Sequence, residues 1–133
     1  MKIILLIFCL SCILNAQKSN ITFALQKTEA NCVIKLYSIK KFPCKNYGII
    51  TRDFQHEDTI IVSIREFVPP SPCRGPGDIA KDAVTITPPN KRFYIKLRFG
   101  TQSDKWRVFQ SDTMYHVREE GKISFTDYVE SKN

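Results

Sequence analysis

The chain has 133 residues, of which 43% are hydrophobic, 11% aromatic and 25% charged, and it carries 20 Lys and Arg against 13 Asp and Glu. These values are typical of one compact soluble domain and exclude a disordered, collagen-like or multi-span membrane protein. The formal net charge of +7 predicts that a partner attracted at long range is acidic rather than basic.

Residues 1–16 are typical of an export signal. Lys2 gives a positive start, Ile3 to Leu14 is almost wholly apolar, and Ala16 offers the small residue that signal peptidase requires. We therefore expect cleavage after Ala16, which leaves one domain of residues 17–133 in a secreted or periplasmic location. The apolar run is too short to span a bilayer of about 30 Å as a helix.

The sequence leaves two modifications open near this segment. Cys12 follows Leu10-Ser11 as a lipidated cysteine follows its signal, and a lipid there would tether the protein to a membrane face. We expect membrane contact only in that case. Asn20-Ile21-Thr22 is an acceptor for N-glycosylation if the producer is a eukaryote.

After residue 17, apolar residues alternate with period two and nowhere keep helical spacing for three turns, which predicts strands and few helices. In the second expected strand, Lys35 and Tyr37 point outward. The fourth is rich in β-branched residues, which suits a central strand. The first four expected strands are Ile21–Leu25, Ile34–Leu36, Tyr47–Thr51 and Thr59–Phe67.

A proline-rich stretch from Val68 to Asp82 interrupts the strands. Proline removes a backbone donor and fixes φ, so we expect an exposed connection here and not a central strand. Within this stretch, Pro72-Cys73-Arg74-Gly75-Pro76 would hold Arg74 on a rigid ridge if Cys73 forms a disulfide.

Three cysteines remain after the expected cleavage: Cys32, Cys44 and Cys73. In an oxidising compartment they predict one disulfide and one leftover thiol, with an intermolecular bridge as the alternative for the odd cysteine. The pairing is left open, with Cys73 bonded to either Cys44 or Cys32. Zinc binding is not supported, because the cysteines lack a fourth ligand at suitable spacing.

The second half of the chain continues the strand pattern. The strand Arg92–Phe99 has four apolar side chains on one face and Arg92, Tyr94, Lys96 and Arg98 on the other. Trp106 shares a face with Val108 and is predicted to lie in the core. The expected strands are Val84–Ile86, Arg92–Phe99, Trp106–Val108, Tyr115–Val117 and Ile123–Phe125, with turns at 100–104 and 119–121 and a frayed end from about Tyr128.

Eight or nine short strands at this spacing predict an antiparallel β-sandwich, with a small closed β-barrel as the main alternative. A ligand-enclosing barrel of the lipocalin type would need longer strands.

The cations suggest a binding surface. If the outer faces of the second and sixth strands share a sheet, cations and aromatic rings would together face an anionic partner. We expect that partner to be an acidic protein, a sulfated glycan or an acidic lipid surface, and not nucleic acid. The competing interpretation is that outward Lys and Arg only solubilise the protein and protect sheet edges. The candidate binding residues are Lys35, Tyr37, Arg92, Tyr94, Lys96 and Arg98.

The proline-rich stretch supports a second hypothesis, a secreted protease inhibitor. A preorganised loop loses little entropy on binding, and an exposed Arg74 next to Cys73 suits a protease pocket selective for basic side chains.

Catalysis has little support. Beyond the export segment the chain has only His56 and His116, and it has no Gly-x-Ser-x-Gly turn. Asp53, His56, Glu57 and Asp58 are close in sequence, but such polar residues between two strands are typical of a solvated turn. We therefore predict a non-catalytic binding module without a metal or cofactor, and a small hydrolase is the weakest alternative.

Overall fold

The computed structural model describes residues 20–131, which contain nine β-strands and no helix. The expected signal peptide (residues 1–16), its cleavage after Ala16 and the lipid on Cys12 lie outside the described residues. No helix within residues 20–131 has the length and hydropathy to cross a membrane. The strands are β1 (Ile21–Lys27), β2 (Cys32–Phe42), β3 (Gly48–His56), β4 (Thr59–Val68), β5 (Asp78–Ile86), β6 (Arg92–Phe99), β7 (Gln102–Gln110), β8 (Tyr115–Glu120) and β9 (Thr126–Tyr128).

The period-two pattern of the sequence decides which side of each strand is buried. In β6, Phe93, Ile95 and Leu97 are fully buried, while Tyr94 and Lys96 between them are partly exposed. A register shift of one residue would move all three apolar side chains to the solvent face, so burial specifies the register strongly. The predicted all-β fold of eight or nine short strands is confirmed.

All nine strands belong to one sheet, in the order β8-β7-β6-β4-β3-β5-β2-β1-β9. Between β3 and β5 a single residue pair, Gly48 with Lys81, continues the sheet. This junction divides the sheet into a five-stranded half, β8-β7-β6-β4-β3, and a four-stranded half, β5-β2-β1-β9. The halves pack against each other as a nearly closed barrel, which is consistent with both the sandwich and the small barrel expected from the sequence.

The sheet is mixed and not purely antiparallel. The pairs β1–β9, β3–β5 and β4–β6 are parallel. Parallel neighbours need a crossover, and here β5 supplies one because the chain leaves β4, passes through the four-stranded half and returns as β6.

The core lies between the two halves. Phe23 of β1 packs edge to face against Trp106 of β7, with ring centroids 5.2 Å apart, and Tyr128 of β9 lies 5.3 Å from Phe23. Trp106 is buried, as the sequence predicts. Such aromatic pairs add about 0.5–1.5 kcal/mol each beyond the area that they bury. Because β1 and β7 meet through their inner faces, the outer faces of the two halves lie on opposite sides of the molecule.

The sheet is open between its two end strands, and we call this opening the β8–β9 gap. The buried carboxylate of Asp104, on β7, closes one end of the gap. Its Oδ1 accepts hydrogen bonds from the N–H and the hydroxyl of Ser124, at 2.9 and 2.8 Å. Its Oδ2 accepts hydrogen bonds from the N–H groups of Phe125 and Thr126, each at 2.9 Å, and from the Thr126 hydroxyl at 2.6 Å. Trp106 Nε1–H donates to the same hydroxyl oxygen at 3.0 Å.

These five residues, Asp104, Trp106, Ser124, Phe125 and Thr126, form the Asp104 network. Burial raises the pKa of Asp104, but hydrogen bonds from Thr126, Phe125 and Ser124 stabilise the charged form and hold the pKa below its ordinary value.

The turn predicted over residues 100–104 is too long, because β7 already begins at Gln102. Asp104 shares the inward face of that strand with Trp106 and lies in the interior.

Most strands extend beyond the residues predicted from the sequence, and two further differences are larger. β5 begins at Asp78, inside the expected connection, because residues 78 and 79 pair with the end of β2. The last strand is Thr126–Tyr128 and not Ile123–Phe125, since the N–H groups of Ser124 and Phe125 bond to Asp104. The chain also stays bonded past Tyr128, where Val129 N–H donates to the Phe23 carbonyl at 2.9 Å.

The cysteine pairing that the sequence left open is Cys44 with Cys73. Cys32 is the free cysteine of the described residues, and it is fully buried on β2. Burial raises the pKa of the Cys32 thiol to about 11, and a hydrogen bond with Tyr115 of β8 offsets part of that increase. The disulfide is compatible with an oxidising, extracellular compartment.

Candidate anion-binding surface

The outer sides of β6, β7 and β8 carry a concentration of positive charge. These three strands are consecutive in the chain, joined by short turns, and paired antiparallel. Their inward residues fill the core, so the residues between them point to solvent. We call this surface the basic face; its six cations and one carboxylate, with three further side chains, are Arg92, Tyr94, Lys96, Arg98, Lys105, Arg107, Phe109, His116, Arg118 and Glu120.

Two pairs of like charges face each other directly across this surface. Lys96 on β6 is the register partner of Lys105 on β7, and Arg107 on β7 is the partner of Arg118 on β8. Side chains in such positions are about 4.5–5.5 Å apart at Cβ, and like charges there destabilise a sheet. Glu120, the register partner of Lys105, offsets part of this charge and bonds to Arg107, but stability alone would favour opposite signs at both of the like-charge positions as well.

Aromatic rings lie among these cations and reduce their repulsion. Lys105 Nζ is 4.4 Å from the centroid of the Tyr94 ring, and the Arg92 guanidinium is 5.5 Å from that of Phe109. Each ring offers a negative face to the cation, an interaction of about 0.5–1 kcal/mol at an exposed site. The rings also hold the cationic side chains against the sheet, which reduces the entropy that they lose when a ligand binds.

Few acids offset this charge. The ion pair within residues 20–131 joins Arg107 to Glu120, with Nε and Nη2 at 2.9 and 2.7 Å from one carboxylate oxygen. Arg107 is 56% and Glu120 36% exposed, so water screens this pair. Asp104, close in sequence to the cations, points into the core and leaves the surface charge unbalanced.

The six candidate residues of the sequence prediction fall into two groups. Arg92, Tyr94, Lys96 and Arg98 line the outer side of β6, within the basic face. Lys35 and Tyr37 are on β2, in the four-stranded half. Three strands, β4, β3 and β5, separate β2 from β6 in the sheet order. The second and sixth strands do share a sheet, but their outer faces point away from each other and form no common surface.

The binding residues predicted from the sequence omitted three cations of the basic face: Lys105, Arg107 and Arg118. The alternation of β7 around Trp106 already points Lys105 and Arg107 outward. The short turns after β6 and β7 predict antiparallel neighbours. Together these two signals would have placed the three cations next to the side chains of β6.

A groove of about 730 Å³ borders the basic face at the open end of the β8–β9 gap. Arg92, Arg107, Arg118 and His116 line it from the basic face. Tyr128 and Glu130, from the C-terminal segment, line the opposite side. The groove therefore has more cations than acids in its walls.

The loop around Arg74 is firmly attached to the body of the protein. Cys73 is bonded to Cys44, and the carbonyl of the exposed Arg74 accepts a hydrogen bond from Lys45 N–H at 3.2 Å. The loop also packs closely on β2, since a Cβ at Gly77 would lie 2.7 Å from the Phe42 carbonyl oxygen. A protease-binding loop must present its carbonyl to the enzyme, and this carbonyl is already engaged.

The remaining polar residues do not converge. His56 is exposed at the end of β3, and His116 is exposed on β8, with three strands between β3 and β8 in the sheet order. The side chains of Asp53, Glu57 and Asp58 are exposed around the β3–β4 turn. Across residues 20–131, no group of three His, Cys, Asp or Glu side chains is arranged to hold a metal ion.

Comparison of the chain with protein family models, with curated proteins and with solved structures finds no match in any of the three.

Proposed function

We propose that this protein is an exported, non-catalytic binding module that holds an anionic macromolecule against its basic face. The single observation that carries the proposal is the placement of two like-charge pairs, Lys96 with Lys105 and Arg107 with Arg118, at directly opposite register positions on adjacent strands. Charges placed only for solubility have no reason to face each other, because dispersed cations solubilise equally well without the repulsion. An anionic ligand removes that repulsion, so the unliganded surface favours binding.

Rigidity supports the same proposal. The cations project from paired strands whose inward residues, such as Phe93 and Trp106, are buried. Their backbone positions are therefore set before a ligand arrives, and binding fixes only side chains. A secreted or periplasmic location fits the Cys44–Cys73 disulfide. No contact of Arg74 favours the inhibitor alternative, which stays a prediction.

The test compares two double variants that remove the same charge from opposite faces. Lys96→Gln with Lys105→Gln removes two cations from the basic face, and Lys35→Gln with Lys81→Gln removes two from the outer face of the four-stranded half. We expect the first variant to elute from heparin at clearly lower salt and to lower the slope of log affinity against log salt by about 2. The second variant should elute close to the original protein.

A simple cation exchanger provides the control for bulk charge. Both variants lose the same net charge, so we expect them to shift equally on that matrix. Equal shifts on heparin as well would contradict the proposal, because binding would then depend on total charge and not on the basic face.

A further inference from the structure

The strand β8 has one free edge. Ser111 N–H donates to the Met114 carbonyl at 2.9 Å across the turn before β8. In an antiparallel pair, residues with inter-strand hydrogen bonds alternate with residues that have none. Moving along the register in steps of two from Ser111 and Met114, the next hydrogen-bonded pairs are Phe109 with His116 and Arg107 with Arg118.

The backbone N–H and C=O groups of Tyr115, Val117 and Glu119 consequently point away from β7 and into the β8–β9 gap. Within residues 20–131 they have no backbone partner, and β8 pairs only with β7. A row of unpaired donors and acceptors of this kind is a template for another extended chain. The six residues of β8 give this edge a length of about 20 Å.

The chemistry on the two sides of the free edge differs. On the outer side are His116 and Arg118, which line the 730 Å³ groove together with Arg92. On the inner side are the partly buried side chains of Val117 and Tyr128, and the exposed Glu119 follows Val117 at the end of β8. An extended chain placed along Tyr115 to Arg118 would have every second side chain next to cations and the others next to apolar groups.

We propose that the free edge of β8 binds an extended acidic segment of a partner protein as an added strand. The proposal rests on the proposed function and names the partner class: a polypeptide whose acidic side chains alternate with apolar ones. Backbone hydrogen bonds to Tyr115, Val117 and Glu119 give affinity, and the cations beside them select negative charge. Two copies of this chain paired through β8 would bring their basic faces together, and the net charge of +7 opposes that arrangement.

The test uses the full chain and three synthetic peptides of the same length as β8. The first alternates glutamate and valine. The second has the same sequence with N-methyl groups on alternate residues, which removes backbone donors and keeps the charge. The third alternates lysine and valine. We expect the first peptide to bind at least about tenfold more tightly than either of the others, since two or three hydrogen bonds of about 1 kcal/mol are lost on methylation.

A pair of variants examines the same edge from the protein side. Val117→Pro removes an N–H that points into the gap and no bond to β7, and proline is tolerated at such edge positions. Val117→Ala reduces the side chain and keeps the N–H. We expect Val117→Pro to weaken binding of the glutamate–valine peptide about fivefold or more and Val117→Ala to change it less than threefold.

Four outcomes would overturn the proposal. Equal binding of the methylated peptide would exclude strand pairing, and equal binding of the lysine peptide would exclude charge selection. Dimerisation of the protein that Val117→Pro abolishes would identify a second copy as the occupant. If no peptide binds while heparin retention still depends on Lys96 and Lys105, the strand-addition proposal fails and the proposed function stands; if heparin retention also lacks that dependence, both fail.

Discussion

The two ends of the β8–β9 gap differ in what surrounds their backbone polar groups. At one end, the buried carboxylate of Asp104 accepts hydrogen bonds from three consecutive backbone N–H groups, at residues 124–126. At the other end, the backbone groups of Val117 and its neighbours face an open groove lined by Arg92 and Arg118. One end satisfies its polar groups with an internal charge, and at the other the backbone groups of β8 have no backbone partner within residues 20–131.

The difference shows how a small sheet can keep one edge available without losing its core. An open edge endangers a β-protein because it invites aggregation. Here cations lie beside the open edge, and the Asp104 network holds the C-terminal segment across the core. The hydrogen bonds of the closed end thus fix the C-terminal segment without using the edge of β8.

Loss of the Asp104 carboxylate should cause the largest fall in the free energy of unfolding. Asp104→Ala leaves the N–H groups of Ser124, Phe125 and Thr126 without an acceptor, and we expect the free energy of unfolding in urea to fall by about 3–5 kcal/mol. Asp53→Ala, at an exposed site on β3, should change it by less than about 0.5 kcal/mol. If Asp104→Ala does not fold, Asp104→Asn keeps one acceptor and should give a smaller loss. Two equal values for Asp104→Ala and Asp53→Ala would show that the network does not hold the closed end.

The Thr126 hydroxyl should account for a smaller part of the same network. It donates to Asp104 and accepts from Trp106, so Thr126→Val leaves the buried Trp106 Nε1–H unpaired. We expect a loss of about 2 kcal/mol in the free energy of unfolding. Thr126→Ser keeps the hydroxyl and should lose about 1 kcal/mol, from the missing methyl group. A larger loss for serine than for valine would assign the role of Thr126 to packing.

Acid should weaken the closed end. Because the folded pKa of Asp104 lies below its ordinary value, its contribution to stability is fully present above the ordinary aspartate pKa of about 3.9 and is lost as the pH falls through the folded pKa. This part is smaller than the whole network, since burial opposes the hydrogen bonds in setting the pKa. Between pH 6 and pH 2, the free energy of unfolding measured in urea should fall less steeply for Asp104→Asn than for the original protein. Parallel curves would contradict the assignment.

The open end should be detectable in the unmodified protein by the hydrogen exchange of the β8 amides. The amides of Val117 and Glu119 point into the gap, whereas those of His116 and Arg118 bond to β7. We expect the first two to exchange at least about tenfold faster than the second two, measured by NMR. Uniform protection along β8 would mean that another chain or a bound molecule already covers the edge.

Side-chain alternation was the part of the fold that the sequence could predict. The burial of Phe93, Ile95 and Leu97 follows directly from their spacing. The same alternation contained the inward position of Asp104, two residues before Trp106, but a charged residue near a glycine is more often part of a turn. The N–H groups that donate to the Asp104 carboxylate belong to residues 124–126, which are too far away in the sequence for local reasoning to find.

Strand order was the part that the sequence could not predict. Lys35 and Arg98 are on equally clear outward faces, yet β2 and β6 lie in opposite halves. Which strands become neighbours depends on long-range pairing and crossovers, and alternation is silent about both. The four candidate residues of β6 therefore lie together on one outer face, whereas the two of β2 lie in the other half of the sheet.

The buried thiol of Cys32 has a consequence for how the molecule could be observed. With its pKa raised to about 11 and its sulfur fully enclosed, this cysteine is protonated and out of reach of an alkylating reagent at neutral pH. It reacts only when an opening of the structure exposes its sulfur. The rate at which Cys32 is labelled in native buffer therefore reports how often the structure opens around this residue. A ligand that slows the labelling must bind the closed form more tightly than the open form.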